Sequence, residues 1–268
     1  MDKLLCYDSI MESINKIKNR NMLSNSIFSA QELSFMFMDG MTSFYNYENT
    51  LIIDRKVDDF NRLYFYTKNL STMTDVIDFI KNYNGDIVID VIGKRGSAVD
   101  LISSFFDKHG ITEYTTFIRM ICKNINKDSE IIYNNVDFAT LKDLDDINSM
   151  LHKTFDKYSA HFPSLDTIAE RIVNKEVFVV RGDNCIKGFS IYNSINKINA
   201  LFDYCIVDDR FRRMRIANDL FNYKLKYANN SRYYYLWVDE HSIDTIKWHH
   251  QNGFQEDGIV DKIIVIKA

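Results

Sequence analysis

Four arginines crowd the turn that follows an apolar run: Leu201-Phe202-Asp203-Tyr204-Cys205-Ile206-Val207-Asp208-Asp209-Arg210-Phe211-Arg212-Arg213-Met214-Arg215-Ile216-Ala217. The run reads as a strand ending at Val207, followed by a short turn and a helix from about residue 214. A helix that opens directly after a strand gathers unpaired N–H donors and the positive end of its dipole in one place, an arrangement suited to a diphosphate. Cations at a helix N-terminus are mildly unfavourable unless an anion lies between them. Clustering of Arg210, Arg212, Arg213 and Arg215 in a chain of formal net charge −4 therefore favours an anionic ligand over a merely solvated helix start. Titratable side chains lie close in sequence: Asp203 four residues before Val207, Glu240 just past the next strand, and the pair His249-His250 in the helix after it. Adjacent helical residues point about 100° apart and no third ligand is evident, so no metal is expected.

The elements that position these residues follow from periodicity. Residues 136–141 read as a strand, 144–158 as a helix, a second helix starts at Ser164, and strands follow at 176–181, 185–194 and 198–207. Then come the helix at 214–229, a strand at 232–239, a helix at 242–252 and a last strand near 259–267. The order is β-α-α-β-β-β-α-β-α-β. Ahead of it, Leu5, Ile10, Ile14 and Ile17 mark one helical face, and Ser29-Ala30-Gln31-Glu32 is a capping-box start. Strands are expected at 50–53, 63–66 and 86–92, with helices near 72–83 and 98–109. The polar stretch Lys123-Asn124-Ile125-Asn126-Lys127-Asp128-Ser129-Glu130 reads as a linker, which divides the chain into domains of residues 1–128 and 129–268. A faint echo links Phe105-Phe106-Asp107-Lys108-His109-Gly110-Ile111 to Trp248-His249-His250-Gln251-Asn252-Gly253-Phe254; a duplication and ordinary α/β sequence both account for it.

Composition narrows the class. With 268 residues, 46% hydrophobic and 26% charged, the chain has material for one large or two ordinary globular domains. Its acidic balance offers no overall field for nucleic acid or anionic lipid, so neither is an expected partner. Cys6, Cys122, Cys185 and Cys205 form no CxxC pair and are expected to stay reduced. No signal-like or membrane-length apolar run occurs, so a soluble cytoplasmic protein, monomeric or homodimeric, is expected. One proline and nine glycines make Gly182, Gly188 and Gly253 informative.

The arginine turn resembles the diphosphate-binding signature of the GNAT N-acetyltransferase family, approximately V-x-P-x-Y-R-G-x-G-I-G/A. Val207, Arg212, Ile216 and Ala217 match in register, Phe211 replaces the tyrosine, Asp209 stands where proline is frequent, and Arg215 stands at a core glycine. The segment 238–254 is similar to the family's other hallmark: Val238, Gly253 and Phe254 match, with Ser242 at the asparagine position and His249 at the tyrosine position. The resemblance implies a mixed, mostly antiparallel α/β sheet flanked by helices in the C-terminal half, with an N-terminal α/β domain that lacks the signature and is of related fold if the echo is a duplication. It implies acyl transfer from acetyl-CoA or another acyl-CoA to a small-molecule or peptide amine. Cys205, Val207, Arg212, Arg213, Met214, Arg215, Ile216, Ala217 and Ser242 would contact the cofactor. Asp203, or Glu240 in reserve, would remove the amine's proton, and His249 would give a proton or hydrogen bond to the leaving thiolate. Asp203 merely capping or pairing with an arginine of the basic turn, and His249 as an ordinary half-buried helix residue, are the plainer readings. The loop from Phe155 to Pro163 is the expected acceptor loop, or else a packing segment. Two other classes stay open: a catalytically silent GNAT-like CoA-binding or interaction module, and an aminoacyl-tRNA-dependent transferase built from paired GNAT-like halves.

Overall fold

Runs rich in β-branched and aromatic residues, separated by amphipathic helices, build two units in the computed structural model, which describes residues 2–4, 6–123, 135–182, 185–194, 199–227 and 232–268. Unit 1 comprises Met1–Ile118 and Gly258–Ala268, and unit 2 comprises Arg119–Asp257. Unit 1 runs β1 (Asp2–Lys3), α1 (Tyr7–Ile17), β2 (Leu23–Ser24), α2 (Ala30–Met38), β3 (Thr42–Asn46), β4 (Thr50–Val57), β5 (Phe60–Thr67), a 3-10 turn (Leu70–Met73), α3 (Thr74–Lys81), β6 (Ile87–Lys94), α4 (Ala98–Lys108) and into β7 (Glu113–Lys123). Unit 2 continues with β8 (Val136–Phe138), α5 (Leu144–Thr154), α6 (Leu165–Val173), β9 (Val177–Gly182), β10 (Cys185–Ser194) and β11 (Asn199–Val207). A 3-10 turn (Asp209–Phe211), α7 (Ile216–Tyr227), β12 (Tyr233–Asp239), α8 (Ile243–Gln251) and β13 (Gln255–Ile266) complete the chain.

The strand order in unit 1 is β1-β3-β4-β5-β6-β13, and in unit 2 it is β7-β12-β11-β10-β9-β8. Each has a parallel pair, β5 with β6 at Asn61↔Ile87 and Arg62↔Val88, and β11 with β12 at Asn199↔Tyr233 through Leu201↔Tyr235, while β3–β4, β4–β5, β9–β10 and β10–β11 are antiparallel. This is the mixed, mostly antiparallel α/β architecture expected. β7 enters unit 2 at Arg119, and the chain returns to unit 1 at Gly258, where Ile259–Ile266 pairs antiparallel with Lys94–Ile87 of β6. Nothing local in the sequence encodes which sheet a terminal strand joins. Of the expected linker, residues 124–130 lie outside the described residues.

The core of unit 2 has two faces. Ile147, Leu151, Ile168 and Ile172 of α5 and α6 pack on Val177, Val179, Phe189, Ile191, Tyr204 and Ile206, while Ile216 and Leu220 of α7 pack on Val136, Phe178 and Val180. In unit 1, Ile10, Ile17, Leu33 and Met36 of α1 and α2 cover Leu51, Ile53, Tyr64 and Tyr66. The sequence echo has matching backbone geometry. α4 ends at His109 (φ −100°) with Gly110 at φ 77°, and α8 ends at Asn252 (φ −92°) with Gly253 at φ 86°. Ile111 N–H then closes on Phe106 O at 3.0 Å, as Phe254 N–H closes on His249 O at 3.1 Å.

Candidate functional site

The site begins as a parting of strands. In the β10–β11 ladder, Ile191 pairs with Tyr204 and Tyr192 with Phe202, so Asp203 is a bulge residue that bends β11. β11 pairs with β12 only over Asn199–Leu201, yet runs on to Val207 while β12 runs to Asp239, leaving a gap between their C-terminal halves. Asp208 N–H donates to Lys187 O of β10 at 2.9 Å. Strand alternation turns the Val207 and Cys205 amides the opposite way, into the gap.

Beyond β11 the turn opens onto α7. Arg213 and Arg215 both sit in left-handed backbone conformation, at φ 66° and 63°. That is the conformation glycine supplies without penalty and other residues adopt at a cost of about 1–2 kcal/mol. Sequence reasoning flagged Arg215 alone; Arg213 stands at the signature's other glycine. Helix α7 starts at Ile216, two residues later than expected. The Asp219 N–H is bonded to Arg215 O at 3.1 Å, and the amides before it in the first turn are the ones a helix leaves without intrahelical partners. They border a cavity of ≈ 330 Å³ lined by Val207, Phe211, Arg212, Arg213, Arg215, Ile216, Ala217 and Asn218. Gly188, paired with Val207, lets α7 come close: a Cβ there would lie 2.8 Å from Ile206 O and 2.9 Å from Ile216 Cγ2.

The arginines divide. Arg210 grips Asp208 at 2.9 Å and holds its carboxyl below the ordinary carboxylate range, while Arg212 pairs with Asp209 at 2.7 Å. Arg213 and Arg215 have no acidic partner among the described residues. Net cation at the mouth is therefore two charges rather than four. Met214 is exposed at the turn, and Ser242, exposed before α8, makes no side-chain cap.

The proton-transfer candidates behave differently from one another. Asp203 Oδ2 accepts from Arg171 Nη1 of α6 at 2.7 Å, an arginine remote from the basic turn. His249 lies among Phe254 and Trp248, and burial, then the Lys224 charge, push it down to about 4. It is neutral near pH 7 and holds no proton to deliver, although its ring N–H still serves as a hydrogen-bond donor; Nδ1 is buried without a partner. Glu240 is half-buried in the turn after β12. Among these groups, sequence reasoning missed Lys224. It is 2% exposed on the apolar stripe of α7, with Nζ 4.2 Å from the Phe202 ring centroid, and burial pushes it down to about 8. The signal was legible: Ile216, Leu220 and Lys224 recur at a four-residue interval, which puts a cation where the helix pattern calls for a core residue.

Among the described residues, unit 1 shows no such mouth at the corresponding place. After β5 the Asn69 side chain accepts from Ser71 N–H at 3.0 Å and Thr72 N–H at 3.2 Å, so the donors that a phosphate would need are already used. In the expected acceptor loop Phe155 and Phe162 pack on the α5/α6 core, and Tyr204 OH donates to His161 O at 2.9 Å. Among the described residues no helix is long and apolar enough to cross a membrane.

Comparison with known proteins finds a family match within unit 2. Residues 144–254 match the Acetyltransferase (GNAT) family. No curated protein matches the chain. Solved structures share its fold: a GCN5-related N-acetyltransferase from Sphaerobacter thermophilus is 11% identical with TM-score 0.59, covering 90% of this chain and 86% of that one. An acetyltransferase of the GNAT family from Colwellia psychrerythraea is 10% identical with TM-score 0.56, covering 98% of each chain. A tandem GNAT protein from the clavulanic acid biosynthesis pathway is 10% identical with TM-score 0.53, covering 85% and 79%.

Proposed function

We propose that unit 2, whose residues 144–254 match the Acetyltransferase (GNAT) family, is an N-acyltransferase that takes an acyl group from acetyl-CoA or another acyl-CoA and passes it to an amine. The observation that carries this reading is the pair of left-handed residues, Arg213 and Arg215, which open the cavity onto the first turn of α7. The diphosphate of CoA would take the free amides there, with the two unpaired guanidinium groups on either side. The pantetheine arm would follow the gap between β11 and β12, and the Cys205 and Val207 amides would hold the thioester oxygen as it gains charge.

The acceptor amine must first lose its proton, since a free alkylammonium ionises near about pH 10.4. Asp203 is the proposed acceptor of that proton, held in orientation by Arg171, with Glu240 in reserve. The amine nitrogen then attacks the thioester carbon, the C–S bond breaks, and the electron pair leaves as CoA thiolate, which is protonated in turn. His249, neutral at this pH, would donate a hydrogen bond to the sulfur. In Asp203→Asn, kcat should fall with CoA affinity unchanged; loss in Glu240→Gln instead would move the assignment.

A thermal-shift titration of the full chain with CoA tests the cofactor reading. At about 100 times the dissociation constant, CoA should stabilise the fold by about 2.7 kcal/mol, and no shift at millimolar CoA would refute it. The neutral His249 and the ion-paired Asp203 favour one rival, a module that binds CoA without turnover. Release of free thiol in the presence of amines would exclude that rival.

A further inference from the structure

Lys224 is unexplained by the steps above. The buried face of α7 is otherwise Ile216, Leu220, Phe221 and Leu225, and a lysine in that stripe conflicts with the local pattern. Such conflicts concentrate at functional positions. Its ammonium lies over the Phe202 ring, which softens the burial of charge without neutralising it. The groups facing it are Asp203 and Cys205 of β11 and His249 of α8. Asp203 is already committed to Arg171 of α6, Cys205 is a thiol hydrogen-bonded to Ser190, and His249 is neutral. No carboxylate among the described residues forms an ion pair or hydrogen bond with Nζ. Cys205, an exposed residue whose thiol turns inward, feels the Lys224 charge from the same side of β11, which puts the ammonium beside the strand that borders the gap.

We propose that Lys224 receives a carboxylate at the far end of the transferred acyl group, so that the donor is a short dicarboxylic acyl-CoA of the malonyl or succinyl kind. The inference rests on the acyl-CoA reading above. With the thioester held at the Cys205 and Val207 amides, an acyl chain of three or four carbons is long enough to carry its terminal carboxylate to a cation beside Cys205. A carboxylate at Nζ also exchanges a desolvated lone charge for a charge-assisted hydrogen bond. Acetyl-CoA would leave that cation without an anion.

The test uses the full chain, wild type and Lys224→Met, titrated calorimetrically with CoA, S-butyl-CoA and S-(3-carboxypropyl)-CoA, two stable thioethers that differ in the terminal carboxylate. Wild type should prefer the carboxylate by about tenfold or more, the equivalent of one charge-assisted hydrogen bond. Lys224→Met should bind CoA as wild type does and lose or reverse the preference. The wild-type preference should also fade between pH 7 and pH 9.5 as the ammonium deprotonates. Equal binding of the two thioethers by wild type, or a preference retained in Lys224→Met, would overturn the proposal while leaving CoA binding standing. Failure of CoA itself to bind would bring down the cofactor reading and this inference with it. If Lys224→Met lowers kcat for acetyl transfer and leaves the preference intact, the residue is a proton donor rather than a carboxylate receptor.

Discussion

Replacing both left-handed arginines by glycine should make the protein more stable while it loses positive charge at the turn. Arg213 and Arg215 hold φ of 66° and 63°, each at a cost of about 1–2 kcal/mol for a residue with a Cβ. Glycine removes that cost but loses about 0.5–1 kcal/mol through its freer unfolded chain. The net gain is roughly 0.5–1 kcal/mol per site, and removing a cation from beside a helix N-terminus adds about 0.3 kcal/mol or more. The sites are two residues apart and share one turn, so the double variant need not equal the sum. Urea unfolding of Arg213→Gly, Arg215→Gly and the double variant should show a higher midpoint at unchanged slope. CoA should still bind, about tenfold more weakly, because the amide cradle survives and the guanidinium groups do not. A fall in stability would refute the left-handed assignment, and abolished CoA binding would show that side chains rather than amides hold the diphosphate.

Lys224→Met should stabilise the protein by about 3 kcal/mol at neutral pH, from a shift of 10.5 to about 8 at about 1.4 kcal/mol per unit. Wild-type stability should climb between about pH 8 and 10.5, where only the unfolded lysine still binds a proton, and this climb should vanish in the variant, as read by urea melts across pH. His249→Gln should remove a loss of about 3 kcal/mol that wild type suffers as pH falls from 6.5 to about 4, where the unfolded imidazole protonates first. Gly188→Ala should cost about 1–3 kcal/mol by pushing α7 off β10, measured by thermal melting. Deleting Gly258–Ala268 should unfold unit 1, which loses the buried Val260, Ile263 and Ile264 from beside β6, each worth about 1.5–3 kcal/mol; amide exchange at Ile87–Lys94 reads this directly.

Much of this molecule was legible where local chemistry decides. The alternating run 185–194 is β10 to the residue, and Ser29 makes the capping box its spacing announced. The strand, turn and helix around Val207 fall in the expected order, and Gly253 closes α8 in the left-handed conformation. What escaped depends on partners remote in sequence. The Asp203–Arg171 ion pair spans 32 residues, and the placement of Gly258–Ala268 in unit 1 is a choice between two sheets that one strand's pattern cannot express. Strand β3, Thr42–Asn46, is short and lies largely half-buried, so its alternation is faint. Lys224 was legible but overlooked, because a lysine within a helix reads as surface until its neighbours four residues apart are counted.

The central claim is that the amides at the start of α7 hold the diphosphate of CoA. Ala217→Asp tests it most directly, because Ala217 lines that cavity in the first turn of the helix. A carboxylate there complements the helix dipole and should raise the unliganded stability by about 0.3–1 kcal/mol, while repelling the diphosphate. Calorimetric titration of wild type and Ala217→Asp with CoA should show binding only in the wild type, with the variant's melting temperature at or above the wild type's. Undiminished CoA affinity in a folded Ala217→Asp protein would contradict the claim.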